Sequence, residues 1–151
     1  MTQKGEGVAY VHYGSTAGLH AAPDDSIVGG VANASFGFSI YRLGDVNGDG
    51  YADVAIGAPY LSDSQSGQGR LSVYLGSAAG LQRPAAWTIE GDTSDENLGA
   101  NGISSGDIDG DGYADLIVGS ALSDQDATDG GSVRVFRGGP GGLAGVPSFS
   151  E

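Results

Sequence analysis

Short apolar runs, separated by stretches rich in glycine and small polar residues, dominate the pattern of this chain. The run at residues 70–75 alternates leucine and valine with arginine, serine and tyrosine, which is the two-residue period of a β-strand. Four such segments are predicted between residues 36 and 90, at residues 36–43, 53–58, 70–75 and 87–90. None shows the 3.6-residue period of an amphipathic helix, so an all-β protein is predicted.

The same pattern repeats with a fixed offset of 62 residues, since one acidic stretch begins at Asp45 and its copy at Asp107. This shift maps residues 7–19 onto 69–81 and then onto 131–143 without gaps. A constant period of this size indicates stacked units that share a core with their neighbours. Four antiparallel strands per unit, joined by glycine-rich turns, are typical of a β-propeller blade.

Composition supports this fold and excludes several functions. The chain has 29 glycines among 151 residues without a collagen period, which indicates many turns. Its formal net charge of −13, with only six Lys and Arg, argues against nucleic acid and anionic membrane surfaces as partners. There is no cysteine, and no stretch is long enough to span a bilayer. No signal peptide is expected within this sequence, because no apolar run follows the N-terminal charge.

The acidic stretch reads D-x-[DN]-x-D-G-Y-A-D in both copies, with oxygen-bearing side chains at positions one, three, five and nine. Calcium prefers six to eight oxygen ligands, which alternate residues of a tight loop can supply. Two Ca²⁺ ions per chain are therefore predicted, which would bring the net charge from −13 to −9. The predicted ligands are the side chains of Asp45, Asn47, Asp49 and Asp53 with the Tyr51 carbonyl, and the side chains of Asp107, Asp109, Asp111 and Asp115 with the Tyr113 carbonyl.

Two other structures are compatible with parts of this loop pattern. An EF-hand requires a bidentate Glu at position twelve, where this chain has Ile56 and Val118, and it requires flanking helices. A hairpin closed by Asx turns without metal is the remaining alternative, because Asp, Asn and Gly favour turns by themselves. Several carboxylates packed into nine residues would repel one another without a cation, which favours the metal site.

The order of these motifs resembles the FG-GAP repeat. Phe36-Gly37, the acidic loop 45–53, the segment Gly57-Ala-Pro59 and the strand 69–76 follow one another at the spacing of that family. The third unit departs from it, with Leu98-Gly99 for Phe-Gly and Gly119-Ser-Ala121 for Gly-Ala-Pro. The resemblance implies blades of a propeller that usually has seven, as in the headpiece of integrin α subunits and in many bacterial extracellular proteins.

On this basis residues 1–35 are predicted to be the C-terminal half of a preceding blade, 36–97 a complete blade, and 98–151 a second blade with an incomplete outer strand. About two and a half blades cannot close a ring, and open sheet edges promote aggregation. Two solutions stay open: the chain is a fragment of a longer propeller, or several copies form a homo-oligomeric ring.

The resemblance implies a non-enzymatic scaffold for recognition or adhesion, located outside the cell or at its surface, with a protein or glycan ligand. No G-x-S-x-G nucleophile motif is present, so no catalytic residues are assigned. A lectin with pockets between blades, and a non-catalytic module of a larger secreted enzyme, are the alternatives. His12 and His20 are interpreted as surface residues, and Trp87 as packing on an outer strand.

Overall fold

The computed structural model describes residues 3–123 and 130–150, and within these ranges the secondary structure consists of short β-strands. They are β1 (Val8–Val11), β2 (Gly14–Ser15), β3 (Gly18–Leu19), β4 (Asp25–Val28), β5 (Ser39–Gly44), β6 (Asp53–Ala58), β7 (Arg70–Tyr74), β8 (Trp87–Glu90), β9 (Ile103–Gly106), β10 (Asp115–Ser120), β11 (Ser132–Phe136) and β12 (Phe149–Ser150). None of the described residues belongs to a helix that could cross a membrane. The all-β prediction is confirmed.

The middle sheet has the order β5-β6-β7-β8, and every neighbouring pair in it is antiparallel. The strands observed at Asp53–Ala58 and Trp87–Glu90 agree with the predicted segments. The first strand begins at Ser39 instead of residue 36, because Gly37 adopts a φ of +85° and the Phe38 amide donates to the Ser35 carbonyl in a turn. The run of apolar and aromatic residues extends through this turn, so the sequence pattern placed the start of the strand too early.

The last sheet has the same meander order, β9-β10-β11-β12. Its outer strand β12 is two residues long and pairs with Arg134 and Val135 of β11. Its first strand begins at Ile103, directly after Gly102, which has a φ of +73° and accepts a hydrogen bond from the Gly119 amide. The N-terminal part contributes one two-stranded sheet, β1-β4, and the short hairpin β2-β3.

The buried apolar side chains lie in two clusters, one at each boundary between neighbouring sheets. The boundary between the N-terminal and middle sheets is centred on Phe36, whose ring meets Tyr74 edge to face at 6.3 Å. The boundary between the middle and last sheets is centred on Phe136, whose ring contacts Trp87 at 4.8 Å. Each repeat therefore buries its face against the next one, as the 62-residue period indicated. The fold class, all-β with FG-GAP-like propeller blades, is confirmed.

Backbone contacts also connect the repeats. The amides of Asn97 and Leu98 donate to the carbonyls of Gly67 and Gln68, at 2.9 and 3.0 Å. The aligned residues one repeat earlier make the same bonds, from Ser35 and Phe36 to Gly5 and Glu6. This approach is close enough to require glycine: a Cβ on Gly69 would lie 2.3 Å from the Leu98 carbonyl oxygen.

A buried ion cluster, which the sequence pattern did not reveal, strengthens the second boundary. Arg134 on β11 contacts the Glu96 carboxylate at 2.7 Å and the Asp92 carboxylate at 2.9 Å. The side chain of Glu96 is completely buried, and it also accepts hydrogen bonds from the amides of Asp92 and Thr93. The positions aligned with Glu96 and Arg134 in the preceding repeat are Ala34 and Ser72, so this cluster occurs at one boundary only among the described residues.

Gly57→Ala should destabilise the protein, because the new Cβ would lie 2.0 Å from the carbonyl oxygen of Gly99 in the next repeat. Overpacking of this kind costs about 1–3 kcal/mol of unfolding free energy. Gly119→Ala is the matched control, since Gly119 occupies the aligned position and its nearest non-adjacent atom would be 3.3 Å away. Urea denaturation should show a clearly larger loss for Gly57→Ala, and equal losses would contradict the importance of this close approach.

Candidate metal centre

The first acidic loop joins β5 to β6, and it is held closed by hydrogen bonds to the side chain of its first residue, Asp45. The Asp45 carboxylate accepts hydrogen bonds from the amides of Gly48, Asp49 and Gly50, at 2.6, 3.1 and 2.7 Å. These bonds lower the pKa of Asp45, the one from Gly50 contributing most. A carboxylate has about four lone-pair sites, so Asp45 retains acceptor capacity for a cation.

The last residue of this loop, Asp53, is fully buried and bridges two parts of the blade. Its Oδ2 accepts a hydrogen bond from the Val46 amide at 2.8 Å, and its Oδ1 accepts one from the Gly76 amide at 2.7 Å. Burial nevertheless raises the pKa of Asp53, and the nearby carboxylates of Asp49 and Asp45 raise it further. A bound cation would favour the ionised form of this buried group.

The second loop, between β9 and β10, has the same construction. Asp107 accepts hydrogen bonds from the amides of Gly110, Asp111 and Gly112, at 2.7, 3.1 and 3.0 Å. Asp115, also buried, accepts one bond from Ile108 at 2.8 Å and one from Gly138 at 2.9 Å. Both loops therefore close by the same carboxylate-to-amide bonds. The bond of an Asx turn, to the amide two residues on, is made by Asp49 to Tyr51 and by Asp111 to Tyr113.

The side chains of the second loop converge as a metal site requires. One carboxylate oxygen from each of Asp107, Asp109 and Asp115 lies within 4.8 Å of the other two, and this is the one such group found among residues 3–123 and 130–150. Oxygens on opposite sides of an ion bound at about 2.4 Å are about 4.8 Å apart, so a cation of calcium's size fits. The donor set is all oxygen, which suits a hard cation. Asp111 accepts a bond from the Tyr113 amide and lies outside this group.

The first loop differs at position three, where Asn47 replaces an aspartate. Its Nδ2 donates to Asp49 Oδ2 at 3.1 Å, and Asp49 Oδ1 accepts from the Tyr51 amide at 2.9 Å. The loop thus offers three carboxylates and one amide oxygen. The carbonyls of Tyr51 and Tyr113 stay predicted ligands.

The two loops also differ in their surroundings, because only the first has a following repeat against it in the described structure. Its carbonyls at Asp45 and Val46 accept hydrogen bonds from the amides of Ala114 and Gly139, both at 2.9 Å. Val46 is completely buried as a result, whereas the aligned Ile108 is 56% exposed. The second loop instead contacts Arg137, whose Nη1 lies 2.8 Å from Asp109 Oδ2.

Some contributors to the site could not be recognised as such from the loop motif. Gly76 and Gly138 donate the amides that hold Asp53 and Asp115, although they lie 23 residues further along the chain. Their occurrence at aligned positions of the repeat is the signal that could have identified them. Arg137 has no such signal, since its aligned residue is Leu75.

The remaining candidates take ordinary roles. His12 and His20 are exposed, and His20 Nδ1 lies 2.6 Å from Asp24 Oδ1. The indole of Trp87 packs against Phe136 and donates to the Ala144 carbonyl at 3.1 Å.

Blades of a β-propeller with acidic loops between their first two strands define the class of this protein, and proteins of similar sequence belong to the same class. The FG-GAP repeat model matches residues 42–74 and 99–136. Integrin alpha-6 of Gallus gallus is 38% identical over 112 residues, which is 74% of this chain and 9% of that protein. Integrin alpha-3 of Mus musculus is 35% identical over 126 residues, or 78% and 11%, and integrin alpha-PS2 of Drosophila melanogaster is 42% identical over 97 residues, or 60% and 7%.

The chain belongs to the integrin alpha-like FG-GAP repeat family. It spans about a tenth of the length of these relatives.

Asp53→Ala and Asp49→Ala should separate the structural role of the loop from metal binding. Asp53→Ala leaves the buried amides of Val46 and Gly76 without an acceptor, at a cost of about 1–3 kcal/mol for each unsatisfied group. Asp49 is exposed, so its replacement should cost much less when no metal is bound. Thermal melts in chelator should show this difference; equal losses would contradict the bridging role of Asp53.

Proposed function

We propose that this protein is a calcium-binding FG-GAP propeller segment that serves as a non-enzymatic, extracellular scaffold for recognition or adhesion. The observation that carries the proposal is the second loop, where three carboxylates approach to within the span of one bound cation. The first loop shares its closure by Asp45 and Asp53 and its all-oxygen donors. Two Ca²⁺ ions per chain follow from this, each held by the five predicted ligands of its loop.

The metal has a structural role in this proposal. Each loop connects the first two strands of a blade, and its buried aspartate is tied to the glycine two residues beyond the third strand. A cation between the carboxylates would neutralise their repulsion and hold these parts together. Calcium modules outside cells bind with dissociation constants of about 10⁻⁴–10⁻³ M, which is the affinity range expected for such open loops.

The family supports the adhesion role and the location. The relatives named above are integrin alpha chains, and the FG-GAP repeat model matches residues 42–74 and 99–136 of this protein. A protein partner on the cell surface or in its surroundings is the ligand class that this relationship favours.

A glycan is the second candidate ligand, and one groove favours it. Between the middle and last sheets lies an open groove of about 310 Å³ lined by Trp87, Glu90 and Arg134, among others. An aromatic ring can stack on a sugar ring, and charged side chains beside it can form hydrogen bonds with the sugar hydroxyls. Binding of labelled protein to a glycan array, abolished by Trp87→Ala, would favour the lectin over the protein scaffold.

Additional blades are expected to cover both ends of the described structure, from copies of this chain or from a longer polypeptide. Strand β1 pairs with β4 alone, whereas the equivalent strands β7 and β11 have neighbours on both sides. At the other end, a Cβ on Gly131 would have no described atom closer than 3.4 Å, although the aligned Gly7 and Gly69 are in tight contact with the next repeat.

Removing calcium should lower the melting temperature. Binding to the folded chain alone adds about 2.7 kcal/mol per site at about 100 times the dissociation constant. Calorimetric titration should give two Ca²⁺ per chain for the unchanged protein, and one Ca²⁺ per chain for each of the variants Asp49→Ala and Asp111→Ala. Mg²⁺ should substitute poorly, because it requires a tighter octahedron at about 2.0–2.1 Å. An unchanged melt in chelator would refute the structural calcium.

Light scattering in calcium should distinguish the two assembly models. With two blades per chain, a closed ring would be a trimer of six blades or a tetramer of eight. Such a ring should be favoured over the monomer, because closure removes open sheet edges. Deletion of residues 1–28 should then cause aggregation. A stable, soluble monomer at micromolar concentration would exclude the ring and leave the longer propeller.

A further inference from the structure

The two loops differ at two positions that are in contact in one of them. In the second loop position three is Asp109, and Arg137 after β11 lies 2.8 Å from its Oδ2. In the first loop the aligned residues are the neutral Asn47 and the apolar Leu75, which packs against the core. The acidic residue and the arginine therefore occur together in one repeat and are both absent from the other.

This pairing equalises the charge of the two loops. The first loop carries three carboxylates, and the second carries four, at Asp107, Asp109, Asp111 and Asp115. Arg137 reduces the four negative charges by one, which leaves three in each repeat. The arginine supplies part of the charge neutralisation that a cation in the second loop would supply.

We propose that Arg137 weakens calcium binding at the second loop by stabilising that loop in its metal-free form. The inference rests on the proposed function, since it requires that the loop binds calcium. Asp109 can offer its other oxygen to the ion while Oδ2 stays with Arg137, so a guanidinium charge remains close to the bound cation. Its repulsion of Ca²⁺, and the relief of carboxylate repulsion in the empty loop, act in the same direction.

The size of the effect follows from exposure. The Arg137 side chain is 58% exposed and that of Asp109 25% exposed, so water screens their interaction. The loss of such an exposed ion pair, together with the loss of the repulsion between the guanidinium and Ca²⁺, should change the Ca²⁺ affinity of the second loop roughly three- to tenfold. Salt should reduce the change further, because it screens exposed charges. The first loop has Leu75 at the aligned position, so this effect is confined to the second loop.

Calorimetric titration with Ca²⁺ tests this in an Asp49→Ala background, where only the second loop binds. Arg137→Leu, which introduces the residue of the aligned position, should tighten binding roughly three- to tenfold at low salt. The gain should shrink at about 1 M NaCl. Arg137→Lys keeps the charge and should remain near the parent affinity. Arg83→Leu is the matched control, since Arg83 is a half-exposed arginine paired with Asp25 outside both loops.

The melting temperature provides a second readout in the otherwise unchanged chain, in case Asp49→Ala does not fold. Arg137→Leu should lower the melting temperature in chelator and widen the difference between calcium and chelator. Weaker or unchanged calcium binding in Arg137→Leu would overturn the inference, and weaker binding would identify Arg137 as a group that orients Asp109. If the unchanged chain binds no calcium, the proposed function itself fails and this inference fails with it.

Discussion

The buried carboxylates of Asp53 and Asp115 hold each blade together at one end. Each accepts one hydrogen bond from the start of its own loop and one from the glycine two residues beyond the third strand. A buried charge is costly unless it is paired, and two amides satisfy only half of a carboxylate's acceptor sites. Burial raises the pKa of Asp53 in spite of these bonds. The loop is therefore built around a negative charge that the protein alone does not fully compensate.

The contacts between repeats determine which parts of the chain can be stable by themselves. Each sheet has at most four short strands, and its apolar side chains are buried by the neighbouring sheet. Glycines at the boundaries allow backbone to meet backbone directly, as at Gly57 and Gly69. The second boundary adds the Arg134 cluster, in which a fully buried Glu96 would be an unpaired charge without the guanidinium. The two boundaries thus share their backbone geometry and differ in their polar content.

Neighbouring loops are not independent of one another. The backbone of the first loop is hydrogen-bonded to residues of the next repeat, which also bury Val46. The second loop has Arg137 close to its carboxylates instead. Two copies of nearly the same nine residues therefore meet different electrostatic and steric conditions, so equal sequence does not imply equal affinity for a cation.

Local sequence determined most of the architecture, because strand periodicity, turn glycines and the loop motif act over a few residues and recur every 62. The all-β fold, the middle strands of each blade and the positions of the acidic loops follow from these signals. The convergence of Asp107, Asp109 and Asp115 was predictable as well, since alternate side chains of a tight loop point inward. The sequence pattern placed the start of β5 too early, because the turn at Gly37 interrupts an apolar run without a change in polarity.

Tertiary structure alone decided which distant groups complete each site and each boundary. Gly76 and Gly138 reach the aspartates because β7 and β11 pair beside β6 and β10, a relation that spans 23 residues. Arg134 meets Glu96 across 38 residues and two sheets. Arg137 meets Asp109 because the end of β11 passes the second loop. Pairing between residues so far apart depends on strand register and blade stacking, which no local pattern of residues encodes.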